Sequence, residues 1–476
     1  MLGKRFRAYP TEQQKDVLRK WIGHQRFIYN AKVSEDRYYR GFSQKAVSLA
    51  GTPVPVDQEY SRFIGSETEW LREVPSQILR NGAVLWKQSY SRFFSGLARR
   101  PRVHKKDGTQ SVWITSELFT FRYDPKTHTE VLYVGTKKFP VGILLFKAHT
   151  SYTKPKSLHV SVHNDKWFVS FSNEDGNSIP GEAEVLEKLR TMTEPELLAR
   201  TMGFDRGVTV PVMSSSGGPV TFSAIQKIRM EKKILARKRW QRRLSRQVKG
   251  SEQREKTKRK IAKTYEYGTN VQKDVAHKAS KAFASLPDKD LFVVEDLKIK
   301  DMTKKPKAKK DKNGKFLKNG AKAKAALSEK ILSSYWGIFV IFLSYKALKN
   351  GKLVIKVSPH YSSQECAECG HTHKDNRVSQ ALFVCSRCGH TDHADRNAAR
   401  VLVKRGVLAV LSGEYTLPKR KKCGLAKKNK LGQELSEVKA CGEAVRRESQ
   451  GLSCTVSRKQ ETKTARLEAQ ATARWA

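Results

Sequence analysis

Two Cys-x-x-Cys pairs constrain the fold of this chain more than any other feature. Fifteen residues separate the pairs in CAECGHTHKDNRVSQALFVCSRCG (366–389). Four thiolates at this spacing close a tetrahedral site between two tight turns, and zinc is the ion that such sites hold. The set needs no further ligand, so it predicts a structural zinc. The predicted ligands are Cys366, Cys369, Cys385 and Cys388.

The charge balance indicates a polyanionic partner. Lys and Arg number 93 against 46 Asp and Glu, which gives a net charge of +47 over 476 residues. Each phosphate that a Lys or Arg neutralises releases counterions, and this release gives affinity that does not depend on base sequence. A membrane-surface protein or an unrelated enzyme with a basic tail are the alternatives. Because the basic residues are spread along the whole chain, we expect nucleic acid as the partner, and no membrane.

Cysteine usage and apolar runs indicate the compartment. Outside the two pairs, Cys423, Cys441 and Cys454 are scattered through a polar tail, unlike a disulfide framework. The N-terminal MLGKRFRAYPTEQQ lacks the apolar core of a signal peptide. The apolar run YWGIFVIFL (335–343) is too short to span a bilayer and predicts a buried core helix. We therefore expect a cytoplasmic protein associated with the nucleoid.

Hydrophobic patterning in the first half of the chain predicts helices followed by short strands. A strand over 1–9 precedes a capping box formed by Thr11 and Gln14, and helical periodicity follows. Residues 110–172 contain short β-rich runs, such as LHVSVH and KWFVSFS, separated by turn residues. This part of the sequence predicts a small β-barrel.

The second half predicts α/β architecture. The apolar run LFVVEDL (291–297) is typical of a buried strand in a parallel sheet, and long basic helical segments precede it. A helix over 327–348, a strand over 353–357 and a helix over 395–411 complete the pattern. The polar segment 413–476 predicts a disordered tail.

Three acidic residues stand at positions that can meet at one edge of such a sheet. Asp205 ends a short strand, Glu295 ends the apolar strand, and Asp395 begins a helix. Each has an ordinary structural explanation by itself, such as a turn residue or a helix cap. Together they predict a cluster that would repel phosphate unless two magnesium ions were bound. Such ions would support in-line phosphodiester displacement.

The order of these motifs resembles TnpB, the OrfB-type protein of bacterial insertion sequences, which is related to type V CRISPR effectors. The resemblance rests on GFDRG, VVEDL, SSQECAECG, CSRCG and ADRNAA, and it extends over roughly residues 1–412. It implies RNA-guided cleavage of DNA, with a guide RNA and target DNA as partners. It also implies zinc on the four cysteines, and Asp205, Glu295 and Asp395 as catalytic carboxylates that bind magnesium.

The resemblance further implies a multidomain α/β fold with a RuvC-like, RNase H-type nuclease core. A split β-barrel (wedge) with an inserted helical recognition domain would precede this core. The implied domains are a wedge at 1–10 and 105–200, a helical recognition domain at 11–104, a nuclease at 201–358 with a helical hairpin at 222–286, a zinc ribbon at 359–391, a third nuclease motif at 392–412, and a basic disordered tail at 413–476.

One departure from the family pattern bears on the third carboxylate. The family form is Asp-Arg-Asp-x-Asn-Ala-Ala near this point, whereas this chain has HADRNAA from His393. We expect the replacement of the first Asp by His393 to be tolerated. If the alignment were shifted, Asp392 would take the place of Asp395.

The basic helical stretch 227–263 is predicted to line a groove that holds the guide–target heteroduplex. Trp240 has two interpretations, since it would either stack on a base or anchor the hairpin as an apolar contact. The predicted nucleic-acid contacts are Arg237, Lys238, Arg239, Trp240, Arg242 and Arg243.

Three other functions remain open on the sequence alone. A miniature type V CRISPR effector would share the fold, and genomic neighbours would distinguish it. A nuclease-inactive RNA-guided DNA-binding regulator is disfavoured by the three acidic residues. A DNA-joining transposase would be revealed by strand-transfer products.

Overall fold

The computed structural model describes residues 2–45, 56–106, 108, 110–124, 129–173, 179–312 and 314–417. Nearly all of the predicted tail 413–476, with its three cysteines, lies outside these residues. The described chain forms two compact units. The larger unit comprises Met1–Pro10, Phe121–Leu132 and Leu144–Lys419, and the smaller unit contains Thr11–Thr120 and Tyr133–Ile143.

Runs of strands and pairs of helices follow one another along much of the chain. The strands are β1 (Leu2–Ala8), β2 (Gln110–Thr115), β3 (Phe119–Asp124), β4 (Thr129–Gly135), β5 (Pro140–Leu144), β6 (Phe146–Lys147), β7 (Ser157–His163), β8 (Lys166–Asn173), β9 (Thr201–Asp205), β10 (Val212–Ser214), β11 (Pro219–Val220), β12 (Leu291–Glu295), β13 (Lys309–Lys310), β14 (Phe316–Leu317), β15 (Leu353–Val357), β16 (Leu382–Val384) and β17 (Thr391–His393). The α-helices are α1 (Glu12–Lys45), α2 (Ser76–Phe94), α3 (Glu182–Arg190), α4 (Glu194–Ala199), α5 (Ala224–Arg246), α6 (Glu252–Ala284), α7 (Ile299–Met302), α8 (Ala321–Ser333), α9 (Trp336–Lys349) and α10 (Ala394–Leu411).

The smaller unit is built around the helices α1 and α2. The predicted capping box at the start of α1 is confirmed: the Thr11 N–H donates to Gln14 Oε1 at 3.0 Å, and the Gln14 N–H donates to Thr11 Oγ1 at 3.3 Å. Both helices bury apolar side chains at helical spacing, including Trp21 and Trp86. A Cβ on Gly82 would lie 2.7 Å from the Gln25 carbonyl oxygen, so glycine is required where α2 approaches α1.

An antiparallel sheet in the larger unit contains the N-terminal strand. β1 pairs along its length with β8, from Leu2 opposite Asn173 to Ala8 opposite Trp167, and its end pairs with β6. β7 pairs with the other edge of β8. The Phe6 ring packs against aromatic rings of the same unit at centroid distances of 5.3–5.7 Å. The first strand is therefore held by residues about 140–170 positions later in the chain.

The second sheet of the larger unit carries the predicted acidic residues. Its strand order is β11-β10-β9-β12-β15, with β9, β12 and β15 parallel and β10 antiparallel to β9. Every residue of β12 is buried, because α3, α4 and α10 pack on one face of the sheet while α6 and α9 pack on the other. The prediction of a buried parallel strand at 291–297 is therefore confirmed for Leu291–Glu295.

Helix α10 lies unusually close to this sheet, and two glycines make the approach possible. A Cβ on Gly203 of β9 would lie 2.2 Å from the Ala399 carbonyl oxygen. A Cβ on Gly406 of α10 would lie 2.4 Å from Val293 Cγ2. Any larger residue would push the helix away, so these glycines fix its height above β9 and β12.

The single helix predicted over 327–348 is wrong, because the chain forms two helices there. α8 ends at Ser333, and Tyr335 adopts a left-handed conformation with φ of 50° before α9 begins. The Tyr335 hydroxyl donates to the Val220 carbonyl at 2.8 Å, which holds the break in place. Residues Ala321–Lys349 are apolar enough for a membrane span by length and composition alone. However, α9 buries Trp336, Phe339 and Leu343 in the core.

Candidate catalytic site and cysteine cluster

Asp205 and Glu295 come together because of strand register. β9 and β12 are parallel, and Phe204 lies opposite Val294. The next residue on each strand is acidic, so both carboxylates leave the same edge of the sheet. Glu295 is buried, with an exposed fraction of 6%, and Asp205 is partly buried.

Asp395 approaches the same edge from the start of α10. The N-cap of this helix is His393, whose Nδ1 accepts the Asp395 backbone N–H at 3.3 Å. The ordinary interpretation of Asp395 as the cap itself is therefore wrong, and its side chain is not used in capping. A Cβ on Gly207, which comes just after β9, would lie 3.7 Å from Asp395 Oδ2, so this carboxylate is close to the end of β9. His393, which stands where the family pattern has its first Asp, thus supplies the capping acceptor of α10.

The three carboxylates influence one another electrostatically. Burial, followed by the charges of Glu295 and Asp395, raises the pKa of Asp205 to about 7. Burial also raises the pKa of Glu295, against the opposing effect of Arg206. Arg206 is buried, and its guanidinium donates to the Glu295 backbone carbonyl. Like charges that lie near one another favour a bound cation or a proton.

Two residues that the sequence interpretation missed contact these carboxylates. Arg377 Nη2 donates to Asp395 Oδ1 at 3.1 Å, and Ser362 Oγ donates to Glu295 Oε1 at 3.1 Å. Both belong to the segment that carries the cysteines. Ser362 stands in the motif SSQECAECG, which offered a signal, whereas Arg377 is an isolated residue in a loop and offered none.

Asp392 occupies a different environment from Asp395. Its carboxylate side chain is fully buried, is bonded to Arg396 and has Arg400 Nη1 at 3.6 Å from its Oδ2. Arg400 also pairs with Glu368 at 2.7 Å. Asp392 therefore neutralises arginines on α10. The geometry favours Asp395, not the alternative Asp392, as the third member of the carboxylate cluster.

The four cysteines form a compact set of ligand atoms. Their Sγ atoms all lie within 4.8 Å of one another, with Cys366–Cys388 at 3.7 Å and Cys369–Cys385 at 3.6 Å. Thiolates around one tetrahedral ion with metal–sulfur bonds of about 2.3 Å stand roughly 3.8 Å apart. These four residues therefore fit a tetrahedral metal. Among the residues that the structure describes, the three carboxylates are not gathered within this distance.

Two buried asparagines connect the cysteine turns to each other and to α10. Asn376 Nδ2 donates to the carbonyls of Gln364 and His371, and its Oδ1 accepts from the Ser386 N–H at 2.9 Å. Asn397 Nδ2 donates to the Glu365 carbonyl at 2.7 Å, and its Oδ1 accepts from the Ala367 N–H at 2.9 Å. The first cysteine turn is therefore bonded directly to the helix that carries Asp395.

The predicted basic contacts differ in their surroundings. Arg237 is held by Glu329 at 3.1 Å, and its side chain is only 16% exposed. The Trp240 ring on α5 is covered by Lys260 of α6 at 4.5 Å, which favours its role in anchoring the hairpin. The exposed members are Lys238, Arg239, Arg242 and Arg243.

Comparisons with known proteins agree with this organisation. Three family models match parts of the chain: "Helix-turn-helix domain" at residues 1–41, "Probable transposase" at 187–305, and "Cas12f1-like, TNB domain" at 336–402. The last match contains the cysteine cluster.

Similar proteins span nearly the whole length. "Putative RNA-guided DNA endonuclease InsQ" of Escherichia coli (strain K12) is 30% identical over 86% of this chain and 93% of its own. A "Putative RNA-guided DNA endonuclease" of Streptomyces pristinaespiralis is 26% identical over 87% of this chain and 92% of its own. A solved Cas12f1–sgRNA–target DNA complex is 12% identical with a TM-score of 0.47, and the match covers 83% of each chain.

The sheet, the cysteine cluster and the matching TNB model define a multidomain α/β protein with a Cas12f1-like TNB domain. Identity with InsQ reaches 30% over nine-tenths of that protein, and the transposase model covers the first two acidic residues. The chain belongs to the family of InsQ, the OrfB-type (TnpB) proteins.

Proposed function

We propose that this protein is an RNA-guided DNA endonuclease of transposon origin, with Asp205, Glu295 and Asp395 as its catalytic carboxylates. The observation that carries the proposal is the meeting of three acidic side chains from β9, β12 and α10 at one sheet edge. Carboxylates that lie near one another repel each other unless a cation or a proton is bound. Family membership supports the same function, since the relatives are named for it.

The donor set fits divalent magnesium. All three side chains offer hard carboxylate oxygens. Burial, and then the charges of Glu295 and Asp395, raise the pKa of Asp205, and a bound cation would offset both effects. Magnesium ions bound there would supply an activated water and stabilise the leaving oxygen of a phosphodiester. The four cysteines would hold zinc as a structural ion, since the set leaves no open position.

The surrounding residues have supporting roles in this proposal. Ser362 orients Glu295 through its hydroxyl, and Arg206 offsets part of the negative charge from within the core. Arg377 neutralises Asp395 in this structure. Because a guanidinium also binds phosphate through paired donors, Arg377 would bind the scissile phosphate once a cation is bound to Asp395.

We assign the domains as the family resemblance implies. The RuvC-like nuclease would comprise 201–358 and 392–412, with the zinc ribbon at 359–391 between them. The wedge would comprise 1–10 and 105–200, and the helical recognition domain 11–104. Pairing of β1 with β8 supports a wedge that combines the N-terminus with later strands.

Guide RNA and target DNA are the proposed partners. The positive charge would hold the nucleic-acid backbones, while base pairing with the guide supplies sequence specificity. The protein would act in the bacterial cytoplasm, at the nucleoid.

The function is tested by isolating the protein with its bound nucleic acid and sequencing that nucleic acid. We expect one discrete RNA from beside its own gene. Loaded with this RNA, the protein should cut a matching target in magnesium and not in EDTA. Glu295→Gln should lower the rate by about 1,000-fold or more, because one metal ligand is lost.

Asp301→Asn is the matched control, since Asp301 is an exposed acidic residue on α7 close in sequence to Glu295. Equal rates for the two variants would contradict the assignment of Glu295. A heterogeneous mixture of nucleic acids would contradict the guided function. Joined instead of cleaved products would indicate a DNA-joining transposase.

A further inference from the structure

An open groove of about 860 Å³ lies in the larger unit, between the helical hairpin and α8. We call it the hairpin groove. It is lined by residues of α5, α6 and α8 and by the loop 303–306. As far as the described residues define it, the groove shares no lining residue with the carboxylate cluster or the cysteine cluster. It is therefore a separate feature of the molecule.

Two tyrosines on α6 line the groove, and each has a cation over its ring. Arg237 lies 4.4 Å from the ring centroid of Tyr265, and Lys233 lies 5.6 Å from that of Tyr267. Tyr265 is 50% exposed, so about half of its surface is open to a ligand. A tyrosine ring on the surface of a basic groove is a stacking platform for an unpaired base.

The position of the Tyr265 platform is well defined. Arg237 is nearly buried beside the ring and is fixed by its ion pair with Glu329 of α8. Gln241 Nε2 also lies 3.4 Å from the Tyr265 hydroxyl. The ring is thus held by two side chains of α5, one of which is fixed by α8, and it need not be ordered when a ligand binds.

The charge of the groove is strongly positive. Glu329 is the one acidic residue among the lining residues that the structure describes, and Arg237 neutralises it. The remaining cationic side chains of the lining are Lys233, Lys304, Lys305 and Lys324. Four ammonium groups beside two tyrosines are complementary to phosphates that flank a stacked base.

We infer that the hairpin groove binds an unpaired stretch of nucleic acid, with one base stacked on Tyr265 and the flanking phosphates against Lys304 and Lys305. The volume of about 860 Å³ is within the range of small-molecule sites, roughly 300–1,000 Å³, and is sufficient for a nucleotide or two. A paired base hides both of its faces in the stack. The inference deepens the proposed function, and rests on it for the source of the strand, because guided cleavage creates unpaired RNA and DNA segments.

The inferred single-strand site is distinct from the heteroduplex groove that the sequence predicts for the hairpin. The basic stretch 227–263 is predicted to line a groove for the guide–target heteroduplex, and its exposed arginines still suit a duplex backbone. The single strand would bind on the side of the hairpin that faces α8 and carries Tyr265.

The test measures binding of short oligonucleotides to the full-length protein, freed of co-purified nucleic acid by nuclease and high salt. The probes are a fluorescent single strand of about 12 nucleotides as DNA, the same sequence as RNA, and the DNA duplex. We expect Tyr265→Leu to weaken single-strand binding by about 10-fold and to leave duplex binding within about 2-fold. Tyr265→Phe, which keeps the ring, should restore single-strand affinity.

Tyr345→Leu is the matched control. Tyr345 is 43% exposed and has Lys346 at 5.9 Å from its ring, but it lies on α9 outside the groove. Its removal should leave binding of the single strands unchanged. The DNA and RNA arms show whether displaced DNA or guide RNA is the better ligand.

A second variant tests the phosphate contacts. Lys304→Gln with Lys305→Gln should reduce the slope of log affinity against log salt for single strands by roughly 1.4, whereas Tyr265→Leu should leave the slope unchanged. Photo-crosslinking of a strand that contains 5-iodouracil should label the peptide that carries Tyr265 and Tyr267.

Either of two results would overturn the inference. One is equal single-strand affinity of the Tyr265→Leu and Tyr345→Leu variants, and the other is a parallel loss of duplex binding in Tyr265→Leu. These readouts need no cleavage. If the parent protein cuts under guidance and Tyr265→Leu binds single strands normally, only the inferred site is contradicted. If Tyr265→Leu loses single-strand binding and the parent protein never cuts, only the proposed function is contradicted.

Discussion

At the scale of single residues, the environment distinguishes acidic residues that the sequence leaves equivalent. Asp392 and Asp395 are three positions apart, yet Asp392, on β17, pairs with arginines of α10 and Asp395 pairs with Arg377 from the cysteine segment. Capping by His393 leaves the Asp395 carboxylate available. A hydrogen bond such as that from Arg377 to Asp395 is typical of carboxylates that bind metals, because it orients the carboxylate.

The raised pKa of Asp205 predicts a pH dependence of stability. The folded pKa is about 7, whereas the ordinary value is 3.8, so between these values the folded state holds a proton that the unfolded state has lost. In EDTA, the free energy of unfolding should therefore fall as pH rises from about 4 to about 7. The difference of roughly 3 pKa units, at about 1.4 kcal/mol each, sets an upper limit of about 4 kcal/mol.

Chemical denaturation at several pH values in EDTA measures this effect. Asp205→Asn should remove this contribution and give a flatter pH profile than the parent protein. Added magnesium at pH 8 should raise the melting temperature of the parent and not of the variant. Parallel profiles for the two proteins would contradict a perturbed Asp205.

At the scale of elements, α10 connects the sheet to the cysteine cluster. Gly203 and Gly406 allow the helix to approach β9 and β12, and Asn397 on its first turn holds the first cysteine turn. Farther along α10, Arg405 pairs with Glu365, which directly precedes the first cysteine of that cysteine turn. One helix therefore orients both the third carboxylate and the metal-binding turns.

Asn397→Ala should uncouple α10 from the first cysteine turn without removing the metal. The substitution leaves the Glu365 carbonyl and the Ala367 N–H without their buried partner, at a cost of about 1–3 kcal/mol for each group. We expect the cleavage rate to fall about 10-fold or more. Zinc per chain should remain that of the parent. The measurements are guided cleavage and metal analysis.

Asn350→Ala is the control for this substitution. Asn350 Nδ2 also bonds a backbone carbonyl, that of Ala284 at 2.8 Å, but it lies at the end of α9. Loss of zinc from Asn397→Ala, or an equal loss of rate in both variants, would show that Asn397 is only a general stabilising residue.

At the scale of the whole molecule, the positive charge and the proposed catalytic carboxylates are distributed differently. Positive charge is distributed over the chain, whereas the carboxylates are confined to one sheet edge next to the cysteine cluster. Loss of the cluster's metal should therefore affect cleavage more than binding of RNA.

Cys385→Ala tests this separation. It removes one of the four predicted ligands, and Cys385 is one of the two that are buried, so zinc should be lost and the segment bearing Ser362 and Arg377 should lose its position. We expect cleavage to fall at least about 100-fold while guide RNA affinity changes by less than about 3-fold. Cys423→Ala, outside the cysteine pairs, should retain zinc and activity. Cleavage at the parental rate by Cys385→Ala would contradict the account.

The sequence by itself determined the parts whose signals are local. Cysteine spacing predicts the metal cluster, the Thr11–Gln14 box predicts the start of α1, and the apolar run ending at Glu295 predicts a buried strand, because each depends on a few neighbouring residues. The roles of the three acidic residues followed from motif order and remain predictions. Only the tertiary structure decided which groups meet: the register of β9 and β12, the height of α10, the contacts of Arg377 and Ser362, and the break at Tyr335. These depend on residues that lie tens to hundreds of positions apart, whose approach no local pattern encodes.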